Sequence, residues 1–241
     1  MKQLTLVTII FSLLLMQGCV SNQSRNEDPE KAATIYADLG LEYLRKGNLE
    51  LALVKLERSL ELDNKHPKAN HYIAEVYKQM GNLDLADEYY GKAVKYDSEN
   101  PMLLNNYGAF LCDQGRIEES EEYFIRASKT PRYRNPELTY ENIALCAMQA
   151  ENIEKAEEFF RKALQIRPAL HKSLYQMANI SYDKKEFMKA RAFIERFHSI
   201  AKTESSLKLG IQIEEALGDE TAVEEYRQAL SARFQQSVSE E

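Results

Sequence analysis

Residues 67–100 read PKANHYIAEVYKQMGNLDLADEYYGKAVKYDSEN. Ile73, Ala74 and Tyr77, then Ala86, Tyr90 and Ala93, recur at spacings of 3 and 4. That is the period of a helix buried along one face, and not the alternation by twos of a strand. Pro67 stands where a first helical turn tolerates proline, and Met80-Gly81-Asn82 interrupts the run with a residue suited to ending a helix. The stretch therefore predicts two helices joined by a tight turn. Such a pair is too small to bury its own apolar faces and calls for neighbours.

Moving outward, the neighbours are there. Gly47 and Gly115 lie 34 residues before and after Gly81, and Pro101 lies 34 after Pro67. Pro136 and Pro168 continue the series with small slips. Ala52, Ala156, Ala190 and Ala222 fall in phase with Ala86, and Ser120 takes the remaining slot. A fixed period of this length marks a repeat architecture. The pattern resembles the tetratricopeptide repeat (TPR), a helix–turn–helix unit with small residues at positions 8, 20 and 27 and large ones beside them. Six units follow, opening near Ala33, Pro67, Pro101, Glu137, His171 and Thr203. Small positions let paired helices approach closely while large ones fill the gaps. The resemblance implies an all-α, right-handed superhelical solenoid over residues 29–234, with a polar tail at 235–241.

Composition agrees with this. The chain has 241 residues, 44% hydrophobic and 29% charged, values of a folded body and not of a disordered one. Only 9 Gly and 6 Pro leave little room for many strands and turns. A formal charge of −7 opposes a nucleic-acid partner.

The N-terminus is an address. Met1-Lys2 is followed by an uncharged apolar run, Leu4 to Met16, short for a membrane span and suited to a signal-peptide core. Leu15-Met16-Gln17-Gly18-Cys19 resembles the lipobox of bacterial lipoproteins. That resemblance implies cleavage after residue 18 and diacylglycerol on the Cys19 thiol. Val20 stands where an inner-membrane lipoprotein carries Asp, which favours an outer-membrane, periplasm-facing address. Residues 19–28 then read as the lipidated cysteine and a polar tether, reaching on the order of 30 Å when extended.

Little chemistry is visible. His66, His71, His171 and His198 form no metal spacing, no phosphate-cradling glycine loop appears, and no nucleophile stands with a base. An enzyme is not expected, nor a cofactor, a metal or a small-molecule substrate. Cys112 and Cys146 occupy positions 12 and 10 of the first helices of repeats three and four, so they fall at similar height in adjacent units. In an oxidising compartment they are candidates for a disulfide. The alternative is two buried thiols acting as small hydrophobes.

In TPR proteins the first helices line a concave groove that holds peptides or single helices. Repeat one presents Ala37, Leu41 and Leu44 at groove positions, apolar side chains with no packing duty evident from sequence. Lys and Asn would stand at two of these places in a chaperone-type carboxylate clamp, so that subfamily is not matched. Asn105, Asn106, Asn142 and Asn179 follow in the middle repeats. Amides can donate to and accept from an extended backbone, or bond to one another between repeats.

Taken with the lipobox and tether, Asn105-Asn106-Tyr107-Gly108-Ala109-Phe110-Leu111-Cys112, Tyr140-Glu141-Asn142 with Cys146, and Ala37-Asp38-Leu39-Gly40-Leu41-Glu42-Tyr43 resemble the type IV pilus biogenesis lipoproteins, the PilF/PilW-type pilotins. The resemblance spans the chain. It implies an outer-membrane lipoprotein that binds the pilus secretin through the groove and helps it reach the outer membrane and multimerise. A periplasm-facing scaffold for barrel assembly or cell-wall enzymes is the alternative in the same compartment.

Overall fold

A computed structural model describes residues 28–131 and 133–239, with side chains as far as residue 232. Among the described residues there are twelve α-helices and no strands. They pair as α1 (Pro29–Arg45) with α2 (Leu49–Leu62), α3 (Pro67–Gln79) with α4 (Leu83–Tyr96), and α5 (Pro101–Asp113) with α6 (Ile117–Ser128). α7 (Pro136–Gln149) pairs with α8 (Ile153–Ile166), α9 (His171–Asp183) with α10 (Phe187–His198), and α11 (Glu204–Leu217) with α12 (Glu220–Ser239). Each pair packs tightly within itself and then on the next, which is the quasi-one-dimensional order of a solenoid.

Local chemistry sets these boundaries. Asp28 and Asn100 accept backbone N–H bonds at the starts of α1 and α5, each followed by Pro at the first helical position. Asn48, Asn82 and Asn152 do the same for the second helices α2, α4 and α8. Gly47, Gly81 and Gly115 turn the chain between helices at φ +73°, +77° and +73°. In repeats four and five the same left-handed place is held by Glu151 and Lys185, at φ 56° and 58°. α12 shows no stop signal and runs to Ser239, so helix extends into the stretch read as a tail.

No single core exists. Leu44, Leu56, Ile73 and Val76 form one cluster, Tyr90, Leu104 and Phe110 a second, and Phe160, Met177 and Ile194 a third. Closeness within a pair depends on the small slots. A Cβ on Gly108 would lie 2.9 Å from the ring of Phe124. Ala52, Ala86, Ser120, Ala156 and Ala190 are all fully buried.

Ion pairs tie successive repeats. Asp87 meets Arg116, Glu121 meets Lys155, Glu157 meets Lys184, and Arg191 meets Glu214. Asp87, Glu121, Glu157 and Arg191 share one register position, and the same position in repeat one is Leu53. The ladder therefore starts at the junction of repeats two and three.

Candidate functional site

The first helix differs from the first helices of repeats two to five in what it leaves uncovered. Ile35 is 59% exposed and Leu39 41%. One period on, the same places are Ala69 and Ile73, at 0% and 1%. Leu103 and Tyr107 in repeat three, Thr139 and Ile143 in repeat four, and Ser173 and Met177 in repeat five are also buried. These positions pack against the preceding repeat, and repeat one has none described before it. Asp38, Leu41, Glu42 and Arg45 complete a shallow hollow around Ile35 and Leu39. Arg45 donates to Glu42 at 3.1 Å, which leaves Asp38 as the unmatched charge among these hollow-lining residues.

The groove residues expected from sequence divide. Leu41 is half-buried and lines this hollow. Ala37 and Leu44 are corrected: both are buried, at 0% and 8%, and Leu44 belongs to the cluster that joins repeats one and two. The helices of repeat two sit close enough to α1 to cover them, a depth that position within one helix does not reveal. Ile35 and Leu39 are the residues missed. The signal was present in the register, since apolar side chains at these positions of repeat one have no preceding repeat to face among the described residues.

The middle amides are bonded within the solenoid. Asn142 donates to Oδ1 of Asn105 at 3.1 Å, and Thr139 donates to the same oxygen at 3.2 Å. Asn106 pairs with Nε2 of His71 at 2.9 Å, and Asn179 donates to the backbone oxygen of Tyr175. Of the two readings left open, bonding within the solenoid is the one observed. Ala109, Leu145, Met148, Tyr175 and Tyr182 are half-buried and pack against the third cluster.

Between repeats two and three the same face carries a polar cluster. His71 is buried beside Tyr90, and burial lowers its pKa to about 4, so the ring is neutral near pH 7. Burial pushes Glu75 upward, but hydrogen bonds from Lys78 and Tyr90 outweigh it and hold the carboxylate below its usual range. Burial and the neighbouring carboxylate raise Tyr90, which stays a phenol that donates to Glu75.

Cys112 and Cys146 are joined in a disulfide, with Cα atoms 5.8 Å apart. It links α5 to α7 across the junction whose loop carries the extra residues near Pro131–Asn135. Cys19, the leader 1–18 and most of the tether lie outside the described residues. No helix among the described residues is long and apolar enough to cross a membrane.

Comparison with known proteins places this geometry. Tetratricopeptide repeat patterns match residues 33–66 and 99–169, and a YpiA-like C-terminal tetratricopeptide pattern matches 67–127. The chain is 31% identical to the type IV pilus assembly protein PilF of Pseudomonas aeruginosa, over 95% of this chain and 94% of that one. The solved structure of that PilF superposes with a TM-score of 0.76, covering 88% of this chain and 99% of the other. The crystal structure of PilW, a widely conserved type IV pilus biogenesis factor, superposes at 0.72 with 27% identity, over 84% and 93%. An uncharacterized protein of Haemophilus influenzae is 31% identical over 68% of this chain and 90% of its own length. With this identity over nearly the full length of both chains, the chain belongs to the PilF/PilW family of tetratricopeptide repeat proteins of type IV pilus biogenesis.

Proposed function

We propose that this chain is the pilotin of a type IV pilus system, acylated at Cys19 and held by a short tether at the periplasmic face of the outer membrane. It binds a segment of the outer-membrane secretin and so promotes the secretin's localisation and multimerisation. The role is one of binding, without catalysis and without a cofactor beyond the covalent lipid.

The observation that carries this reading is the uncovered strip of α1. Ile35 and Leu39 keep apolar area in water at places that the next four repeats bury. Covering it would remove an exposed apolar patch, the usual mark of a protein-binding surface. Half-buried Leu145 and Tyr175 offer further apolar contact area. Asn105, Asn106 and Asn142 tie neighbouring repeats and do not clamp the partner's backbone.

Ile35→Asp with Leu39→Asp places two charges where the partner docks, on side chains that leave the core intact. Secretin multimers, read as a slow-migrating band from cell envelopes, are expected to disappear while helicity stays unchanged. Normal multimers in that double variant refute the docking surface. Cys19→Ser tests the anchor separately, by moving the chain out of the outer-membrane fraction.

A further inference from the structure

The joint between repeats one and two lacks the ion pair that ties later repeats, and it has a histidine in place of the usual cap. Side chains that begin the other first helices are Asp28, Asn100, Asn135, Leu170 and Thr203, and α3 begins at His66. His66 is buried, 6% exposed. Its Nδ1 accepts the backbone N–H of Ala69 at 3.2 Å, the N3 bond of an N-cap. Its Nε2 lies 3.2 Å from Oγ1 of Thr34 in α1. This side-chain hydrogen bond joins α1 to the start of α3.

These contacts fix the tautomer. Nδ1 faces a donor and must be bare, so the proton is on Nε2. Thr34 donates its hydroxyl hydrogen to the Glu30 carbonyl at 3.0 Å, which leaves its oxygen free to accept from Nε2–H. Every hydrogen in the chain Ala69, His66, Thr34, Glu30 then has one acceptor. A second proton on the ring has no place in it. Nδ1–H would confront the N–H of Ala69, and the cation would sit at the positive end of α3.

We propose that His66 is a proton-operated latch between the first repeat and the rest of the solenoid: its neutral ring caps α3 while holding Thr34, and protonation at Nδ1 breaks the cap that seats the ring in the joint. The charged groups around it pull in both directions. Asp63 in the turn and Asp38 and Glu30 on α1 favour the cation, Lys68 on α3 opposes it, and burial outweighs them in favour of the neutral ring. Above about pH 6.5 the closed and open joints are both neutral and acid has no effect. Below it the open joint takes up the proton first, so opening gains as pH falls toward the closed-state value. This inference concerns the joint alone and stands apart from the docking role. It sets how firmly the helix carrying Ile35 and Leu39 is held.

Native-state hydrogen exchange on the full chain tests it. Opening of peptides within 29–62 is compared with that of peptides within 136–166, at pH 7.5 and pH 5.5, after correction for intrinsic exchange rates. The ratio is expected to rise several-fold at pH 5.5, up to tenfold per pH unit below about 6.5. In His66→Asn and His66→Asp the cap is kept by an acceptor with no titration in this range, and the ratio is expected to stay flat. A flat ratio in the unaltered chain overturns the latch. So does an equal rise in both cap variants, which would assign the effect to another group such as His71.

Discussion

Removing the Cys112–Cys146 bridge is the perturbation whose size follows most directly from the structure. The two residues are 34 apart in sequence, so the bond closes a loop of that length in the unfolded chain. The loop-closure relation gives an entropy loss of about 13 cal/mol/K, or about 4 kcal/mol at room temperature. Both residues are buried, so Cys112→Ala with Cys146→Ala adds a modest packing loss to the lost constraint. Urea unfolding of the bridged chain, the same chain in reductant, and the double variant should show a shared loss of roughly 3–5 kcal/mol. Because a solenoid is stabilised by neighbour contacts, the loss should concentrate in the helices on either side of the bridge. Exchange of amides in α5 and α7 should rise more than in α9. The reasoning is refuted if the loss is under about 1 kcal/mol, well below the loop-closure value. It is also refuted if both thiols alkylate in the oxidised chain without reductant.

Three further outcomes follow from particular residues. Glu151→Gly and Lys185→Gly relieve left-handed backbone at φ 56° and 58° and should each raise stability by about 0.5–1 kcal/mol in thermal unfolding, whereas a loss in both contradicts the assigned turns. Glu141 is buried and accepts from both the backbone N–H and the hydroxyl of Ser173, at 3.1 and 2.6 Å. It caps α9 from the preceding repeat, where Leu170 supplies no side-chain cap, so Glu141→Ala should cost about 2–3 kcal/mol in urea and a neutral result would refute the cap. His71 has its pKa lowered to about 4 by burial, below its unfolded value near 6.5. Its stabilising neutral form is fully effective above pH 6.5, and up to about 3 kcal/mol is lost as pH falls from there to 4. Proton NMR of the ring should titrate near 4, and a midpoint above 6 contradicts its burial.

Much of this architecture is legible in the sequence because it is periodic. Pro67 and Pro101 mark helix starts, Gly47, Gly81 and Gly115 mark turns, and the alanine slots mark where helices touch. The pairing of Cys112 with Cys146 is legible for the same reason, since repeat number and position fix height in the stack. What escapes is depth and reach. Ala37 and Leu44 occupy groove positions, but how closely repeat two approaches decides that they are covered. Asn105 and Asn142 are 37 apart and find one another only once the stack exists. The cap from Glu141 to α9 and the link from His66 to Thr34 are likewise made between elements, and no local pattern announces them. Ile35 and Leu39 are the opposite case. Their exposure follows from the register of a first repeat and needs no coordinates.

Secretin docking on the open face of α1 is the central proposal. A photo-crosslinking residue at position 39, introduced in intact cells carrying the native pilus system, tests that claim most directly. Position 88 in α4 serves as the comparison, since Glu88 is exposed there and pairs with Lys92 of its own helix. The account predicts a crosslink from position 39 to the secretin subunit and none from position 88. Crosslinking to the secretin from position 88 with none from position 39 would contradict it.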